Sequence, residues 1–392
     1  MNLKSTVLVI ALLGLLTNCT EFSSEEELTA TINITATDLS NGVSPLLTDE
    51  AAALFTTEDL KEIDELTRFP ENAIDFRDGT TVTVPAGSND ALADAIAEAG
   101  DGGTVILESG MHYESGTVVV DQRVHIKGEE DAVLQVDTKP IEVVGTIQPA
   151  LHLLDVSNVV VSGIKIQPVD DIGGTAILIE HADKTMVQKS TLESHQFGIL
   201  VEQSNRVRIG YNTIVTSDAW TTGEVGQAHG IVVINGKRAR VYGNEVSSSF
   251  FGVWACDNSG LYIGNKTYQN YLGLILCKVP DQAYPFPDDS LVGSASPANQ
   301  WLVMLNTSHD NLDAGYIAID GANNNYIWNN KAANNGTYDI ELAGDSERFG
   351  FLTPTSSENH VLARPGITVK DCGIDNSVSG GEDIDTTADS CY

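Results

Sequence analysis

The chain has 392 residues, 42% of them hydrophobic, and a formal charge of −34. That is enough apolar content for a long core. The acidic surplus argues against nucleic acid or an anionic membrane surface as the partner. The surplus is uneven: residues 20–80 hold 15 acidic and 3 basic side chains, and residues 371–392 hold 6 acidic and none basic.

Residues 1–19 read as an export signal. Lys4 precedes an apolar run from Val7 to Leu16, which is too short for a membrane span. The run ends Leu16-Thr17-Asn18-Cys19, which resembles a lipoprotein box with Cys19 as the lipidated residue. A cleaved soluble signal is the alternative. The Ser/acidic stretch from Thr20 to Glu27 resembles a surface-export signal, and a solvated acidic linker is its alternative. These readings imply an exported protein, lipid-anchored in the outer membrane at the cell surface of a Gram-negative bacterium.

Residues 20–57 read as an acidic flexible tether. Residues 58–100 read as a helical segment and N-terminal cap, with a short helix at Glu58–Leu66. A second helix is predicted over Asp90–Ala99, capped by Asn89 and stopped by Gly100. Its expected role is to plug the open end of the solenoid that the strands after it build. Those strands are predicted at Thr104–Leu107, Thr117–Val120, Val124–Ile126 and Val133–Val136.

From Ala176 one phrase keeps returning: a small residue, usually Gly, then alternating apolar residues. It starts at Ala176, Gly198, Gly230, Gly252, Gly273, Gly315 and Tyr338. The steps are near 22 residues, broken at about Ser217–Ala228 and Lys278–Gln300 by insertions. The longer second step leaves room for one irregular extra repeat. Between phrases lie second short runs such as Val207–Ile209 and Ala239–Val241, and no helical period. Two or three strands per coil fit a parallel β-helix. Asn212, Asn244, Asn265, Asn306 and Asn329 come after the second strand and are predicted to stack as a hydrogen-bonded ladder.

These phrases, the Asn register and the entry segment Ala91–Gly128 resemble the right-handed parallel β-helix superfamily, and within it the pectate-lyase-like and copper-accessory-protein-like repeats. The expectation is an all-β, right-handed parallel β-helix over residues 101–345, in ~22-residue coils, with residues 346–392 as an acidic tail. The resemblance is specific for fold, because the superfamily holds lyases, epimerases, hydrolases, adhesins and non-catalytic modules.

Alternation sets the faces. Ile199, Val201, Ile231, Val233, Val253 and Ala255 should point inward. Leu178, Glu180, Leu200, Glu202, Val232, Ile234, Trp254, Cys256, Ile275 and Cys277 should point outward. The outward set is unusually apolar, so coverage by the insertions or a subunit contact is expected, with a ligand groove as the alternative. Val233→Asp should then cost several kcal/mol and Val232→Asp much less. Cys256 and Cys277 should stack on adjacent coils, as a disulfide or as two free thiols. Cys372 and Cys391 could form a second bridge. No cysteine spacing marks a zinc site.

On the second strand the outward register reads Met186, Arg208, Arg240 and Tyr262, and two residues earlier Lys184, Arg206 and Arg238. Residues 184–240 carry seven basic against four acidic side chains, a surplus of three in an acidic chain. Like charges on neighbouring strands repel. A bound polyanion such as a uronate polymer would explain them, because Arg offers a planar fork to carboxylate. A solvated face balanced by nearby Glu is the alternative. Arg208, Arg240, Tyr262, Arg206, Arg238 and Trp220 are therefore the substrate-binding candidates. A lyase or epimerase also needs a base near the α-carbon, and His229, His195 and Lys189 are the candidates, beside a structural reading of both histidines. No cofactor is evident, and the resemblance leaves Ca2+ open. The function reads as binding or processing of an acidic polysaccharide. The rivals are a non-catalytic glycan-binding or scaffold protein and an envelope accessory protein for metal or redox assembly.

Overall fold

The computed structural model describes residues 76, 79–223, 226–278, 297–344, 346–348, 351–353, 355–385 and 391. Cys19, the tether, the Glu58–Leu66 helix and the bulk of the second insertion lie outside the described residues.

The repeat forms three parallel strands per coil. One coil runs His195–Glu202, Arg208–Gly210 and Thr213–Val215; the next runs His229–Lys237, Arg240–Tyr242 and Glu245–Ser247. Each strand pairs in register with its counterpart one coil on, as in Ile199↔Ile231, Arg208↔Arg240 and Ile214↔Val246. Coil stacks on coil in this way from Thr81–Val84 onward. Strands His360–Asp371 and Ser377–Asp385 extend the ladder past residue 345.

The recurring Gly has a steric cause. An added Cβ on Gly198 would stand 2.5 Å from the carbonyl oxygen of Gly230. Gly230 against Gly252 and Gly252 against Gly273 repeat the clash. Only hydrogen fits where the coils approach this closely. The insertions leave the stacking intact. Across Ser217–Ala228, Phe197 still pairs with His229. Across the second insertion, Leu274 pairs directly with Tyr316. Ala298 donates its N–H to the carbonyl of Cys277 at 2.9 Å, closing the neck of the second insertion.

The inward set is as expected. Ile199, Val201, Ile231, Val233, Val253 and Ala255 join one aliphatic core that runs through the solenoid. The apolar members of the expected outward set join a second apolar cluster, with Leu200 and Val232 both fully buried. This corrects the expectation that Val232→Asp would be mild: the register is right, but both faces of the strand are removed from water. The helix is Leu92–Ala99, stopped at Gly100 as predicted. Asn89 does not cap it. The Glu114 carboxylate from the next coil accepts from the N–H groups of Ala91 and Leu92, at 3.1 and 2.9 Å. Leu92, Ala95, Ile96 and Ala99 enter the core.

The Asn ladder is present and buried. Asn212, Asn244, Asn265 and Asn306 each donate from the side-chain amide to the carbonyl oxygen of the next Asn, at 2.9, 2.9, 3.1 and 2.9 Å. The last rung is Asn330, not Asn329. Asn329 is instead a left-handed turn residue with φ 50°, stacked one position earlier. Two further ladders were not foreseen: Asn270–Asn311–Asn335 and Asn325–Asn359–Asn376.

Disulfides join Cys256 to Cys277 and Cys372 to Cys391, with Cα atoms 5.1 and 5.5 Å apart.

Candidate functional site

His195 and His229 open the first strands of successive coils. Both are buried, at 1% and 0% exposure, and burial lowers each imidazole pKa to about 3. His229 stacks in register between Phe197 and Phe251, with ring centroids 5.4 and 5.0 Å away, and lies 4.9 Å from the Trp254 ring. A neutral imidazole inside an aromatic cluster is a packing element, because a base must reach the proton it abstracts. Neither histidine is therefore placed as the catalytic base. Lys189 is exposed in the turn after strand Met186–Gln188, its N–H bonded to the Gly210 carbonyl.

Tyr262 is also corrected. The strand His229–Lys237 carries a bulge between Ile234 and Lys237 that absorbs one residue. The partner of Arg240 is consequently Leu261, and Tyr262 pairs with Val241. Tyr262 points into the core with no exposure, and burial raises its hydroxyl pKa. Trp220 is half-buried on the first insertion. Its Nε1 donates to the Ser248 carbonyl at 3.0 Å and its ring meets Phe250 edge-on at 5.4 Å, so it pins the loop.

The basic residues do come together. Arg208 and Arg240 are direct register partners. Burial lowers the Arg208 guanidinium pKa, and Tyr242 opposes the shift. The Arg240 guanidinium is lowered to about 10, first by burial, then by Arg208, with smaller contributions from Arg206 and Arg238. Tyr242 packs beside them against Gly210, which has no room for a Cβ under that ring. Lys184, Arg206 and Arg238 are exposed at the turn that leads into this strand, and Lys237 is exposed beside Arg238. The result is a cluster of six cations across three successive coils.

One polar pair was missed. His152 Nε2 lies 2.8 Å from Glu180 Oε2 on the outward face of the first strands, both side chains partly exposed. Glu202 is the register partner of Glu180. His152 belongs to strand Pro149–Leu154, one coil before the first phrase read from the sequence, so the period did not reach it. Among the described residues, no group of three or more His, Cys, Asp or Glu is set to hold a metal ion. No helix among them is long and apolar enough to cross a membrane.

The family described as right handed beta helix region matches residues 123–272. Among solved structures, a rhamnogalacturonan lyase is similar, with TM-score 0.51 and 10% identity over 71% of this chain and 79% of that one. The A-module of mannuronan C-5 epimerase AlgE6 from Azotobacter vinelandii gives 0.49 and 13%, over 76% and 94%. ORF18 of Geobacillus virus E2 gives 0.45 and 10%, over 77% of this chain but only 60% of the viral one. At such identities the likeness is one of fold. A search of curated proteins found no match. The strand pairing makes the fold a parallel β-helix, and the family match over residues 123–272 identifies it as a right-handed one.

Proposed function

We propose that this protein binds an acidic polysaccharide along its β-helix. The observation that carries the reading is the cation cluster of Lys184, Arg206, Arg208, Lys237, Arg238 and Arg240, gathered over three coils of a chain whose net charge is −34. Cations concentrated against the trend of the molecule favour a polyanion, and a rigid solenoid face suits an extended polymer more than a globular partner. The test is retention of the full-length protein on immobilised polyuronate at low salt and release as salt rises. Free passage at low salt would overturn the reading.

A second reading, acid–base processing of the same polymer, is favoured by His152 and Glu180. An imidazole held by a carboxylate is the arrangement of an oriented base. Incubation with polyuronates while following absorbance of an unsaturated product tests for a lyase. No signal there, together with retention on the column, leaves binding as the function.

We also infer export and lipid anchoring through Cys19, supported by the apolar run that ends at that residue. Cys19→Ser should release the protein from the membrane fraction, and continued membrane association would overturn the anchor.

A further inference from the structure

We infer that the turn row carrying Lys184, Arg206 and Arg238 is a recognition ledge for a polyuronate lying parallel to the solenoid axis, with one carboxylate met at each coil. The inference rests on the acidic-polysaccharide reading and assigns its geometry.

The three residues occupy the same turn in consecutive coils, each in the left-handed region, with φ of 57°, 59° and 62°. Other coils fill that position with Asn158, Ser259, Gln300 and Asn324, also at positive φ. Asn suits this conformation, and long cations have no local reason to be there. The backbone is nonetheless locked. Lys184 donates its N–H to the Asn205 carbonyl at 2.8 Å, Arg206 to Lys237 at 2.9 Å, and Arg238 to Asn258 at 2.8 Å. The cations are therefore mounted on a rigid edge at the strand spacing of ~4.8 Å. All three side chains are exposed, and among the described residues none of them forms an ion pair.

The ledge is bounded. Asn158 precedes it and Ser259 comes after it, both uncharged. Farther along, the same turn position carries Glu358 and Asp375, both exposed. An anionic polymer is thus attracted over three coils and repelled toward the C-terminal end. Inboard, Arg208 and Arg240 raise the positive potential behind the ledge. Two of the three ledge cations are Arg, whose planar fork matches a carboxylate.

The experiment uses the full-length protein and oligogalacturonides of increasing length, with polygalacturonate, dextran sulfate and single-stranded DNA as polymers. For the wild type, affinity should rise with length up to about three to four uronate units and then level, because three coils carry the cations. Lys184→Ala with Arg206→Ala and Arg238→Ala should weaken binding by at least about thirtyfold. Lys165→Ala, a cation on another sheet paired with Glu193, should not change it. Arg206→Lys with Arg238→Lys keeps the charge but loses the fork, and should erode preference for uronate over dextran sulfate. Unchanged affinity in the triple variant, or a length dependence that never levels, would overturn the ledge. Tighter wild-type binding to dextran sulfate or DNA would overturn the carboxylate assignment. A wild type that binds no polymer would instead overturn the underlying reading.

Discussion

The strand Arg208–Gly210 is flanked by two turns that repeat in every coil, and the two repeat in opposite ways. After it comes Asn212, stacked on Asn244, Asn265, Asn306 and Asn330. Before it comes Arg206, stacked between Lys184 and Arg238. A primary amide carries both a donor and an acceptor, so identical neighbours satisfy one another. The Asn244 oxygen accepts from both the backbone N–H and the side-chain amide of Asn212, and its own amide donates to the Ile209 carbonyl and to Asn265. A guanidinium or ammonium only donates, so identical neighbours can only repel. Repetition in a solenoid stabilises the first row by itself, whereas the second row has to find its counter-charge elsewhere.

Asp257 shows how much an unmatched charge matters near these turns, and gives the largest expected effect. It lies one residue before Asn258, whose carbonyl receives Arg238. Its carboxyl is 1% exposed and its Oδ2 has no partner among the described residues. Burial raises its pKa to about 7, against the lowering effect of Asn258 N–H and Lys237. The folded state therefore holds this proton longer than the unfolded state does. Stability should fall as pH rises from about 4 through 7, and stay level above that. Asp257→Asn should remove that slope and stabilise the protein at pH 8 by up to ~4 kcal/mol, with little change at pH 4. Chemical denaturation of both forms at the two pH values checks this. Parallel pH profiles would show that Asp257 is matched after all.

Breaking the amide row should come next in size. Asn244→Ala removes the acceptor of the Asn212 backbone N–H and the amide that donates to the Ile209 carbonyl, and it takes one of two bonds each from the Asn212 amide and the Asn265 oxygen, inside a dry turn. Orphaned buried groups cost about 1–3 kcal/mol each before relaxation, so a loss of about 3 kcal/mol is expected. Asn244→Asp supplies only acceptors and should be no better. A melting temperature within a degree of wild type would mean that water replaces the rung.

The legible part of this molecule was the part that repeats at constant length. The Gly phrases and four of the five ladder positions emerged from a period near 22, because the close Gly–carbonyl stacking and the amide ladder favour the same residue in successive coils. The reading failed where one residue was gained or lost inside a coil. The bulge after Ile234 shortened the next step to 21, which turned Tyr262 inward and gave its outward place to Leu261. The step from Asn306 to its partner is 24, which moved the rung from Asn329 to Asn330. In three-residue strands a slip of one reverses the face. The histidines stayed open between base and structural residue for another reason. Their burial depends on rings from neighbouring coils, Phe197, Phe251 and Trp254, and no local pattern around His229 encodes that.

The smallest effect belongs to the cation row, and its sign separates the two turns most sharply. Lys184, Arg206 and Arg238 are exposed and form no ion pair among the described residues, so their removal deletes no favourable partner. What it removes is repulsion between neighbours ~4.8 Å apart, which solvent and salt already weaken. Lys184→Ala with Arg206→Ala and Arg238→Ala should therefore change stability by no more than about 0.5 kcal/mol, toward the more stable side. The gain should be visible at low ionic strength and vanish at 1 M salt, where the screening length falls to about 3 Å. Thermal melts of the wild type and the triple variant in both salts measure this. A clear loss of stability would mean that the row is structural like the asparagines, and that its cations are matched within the protein and not by a ligand.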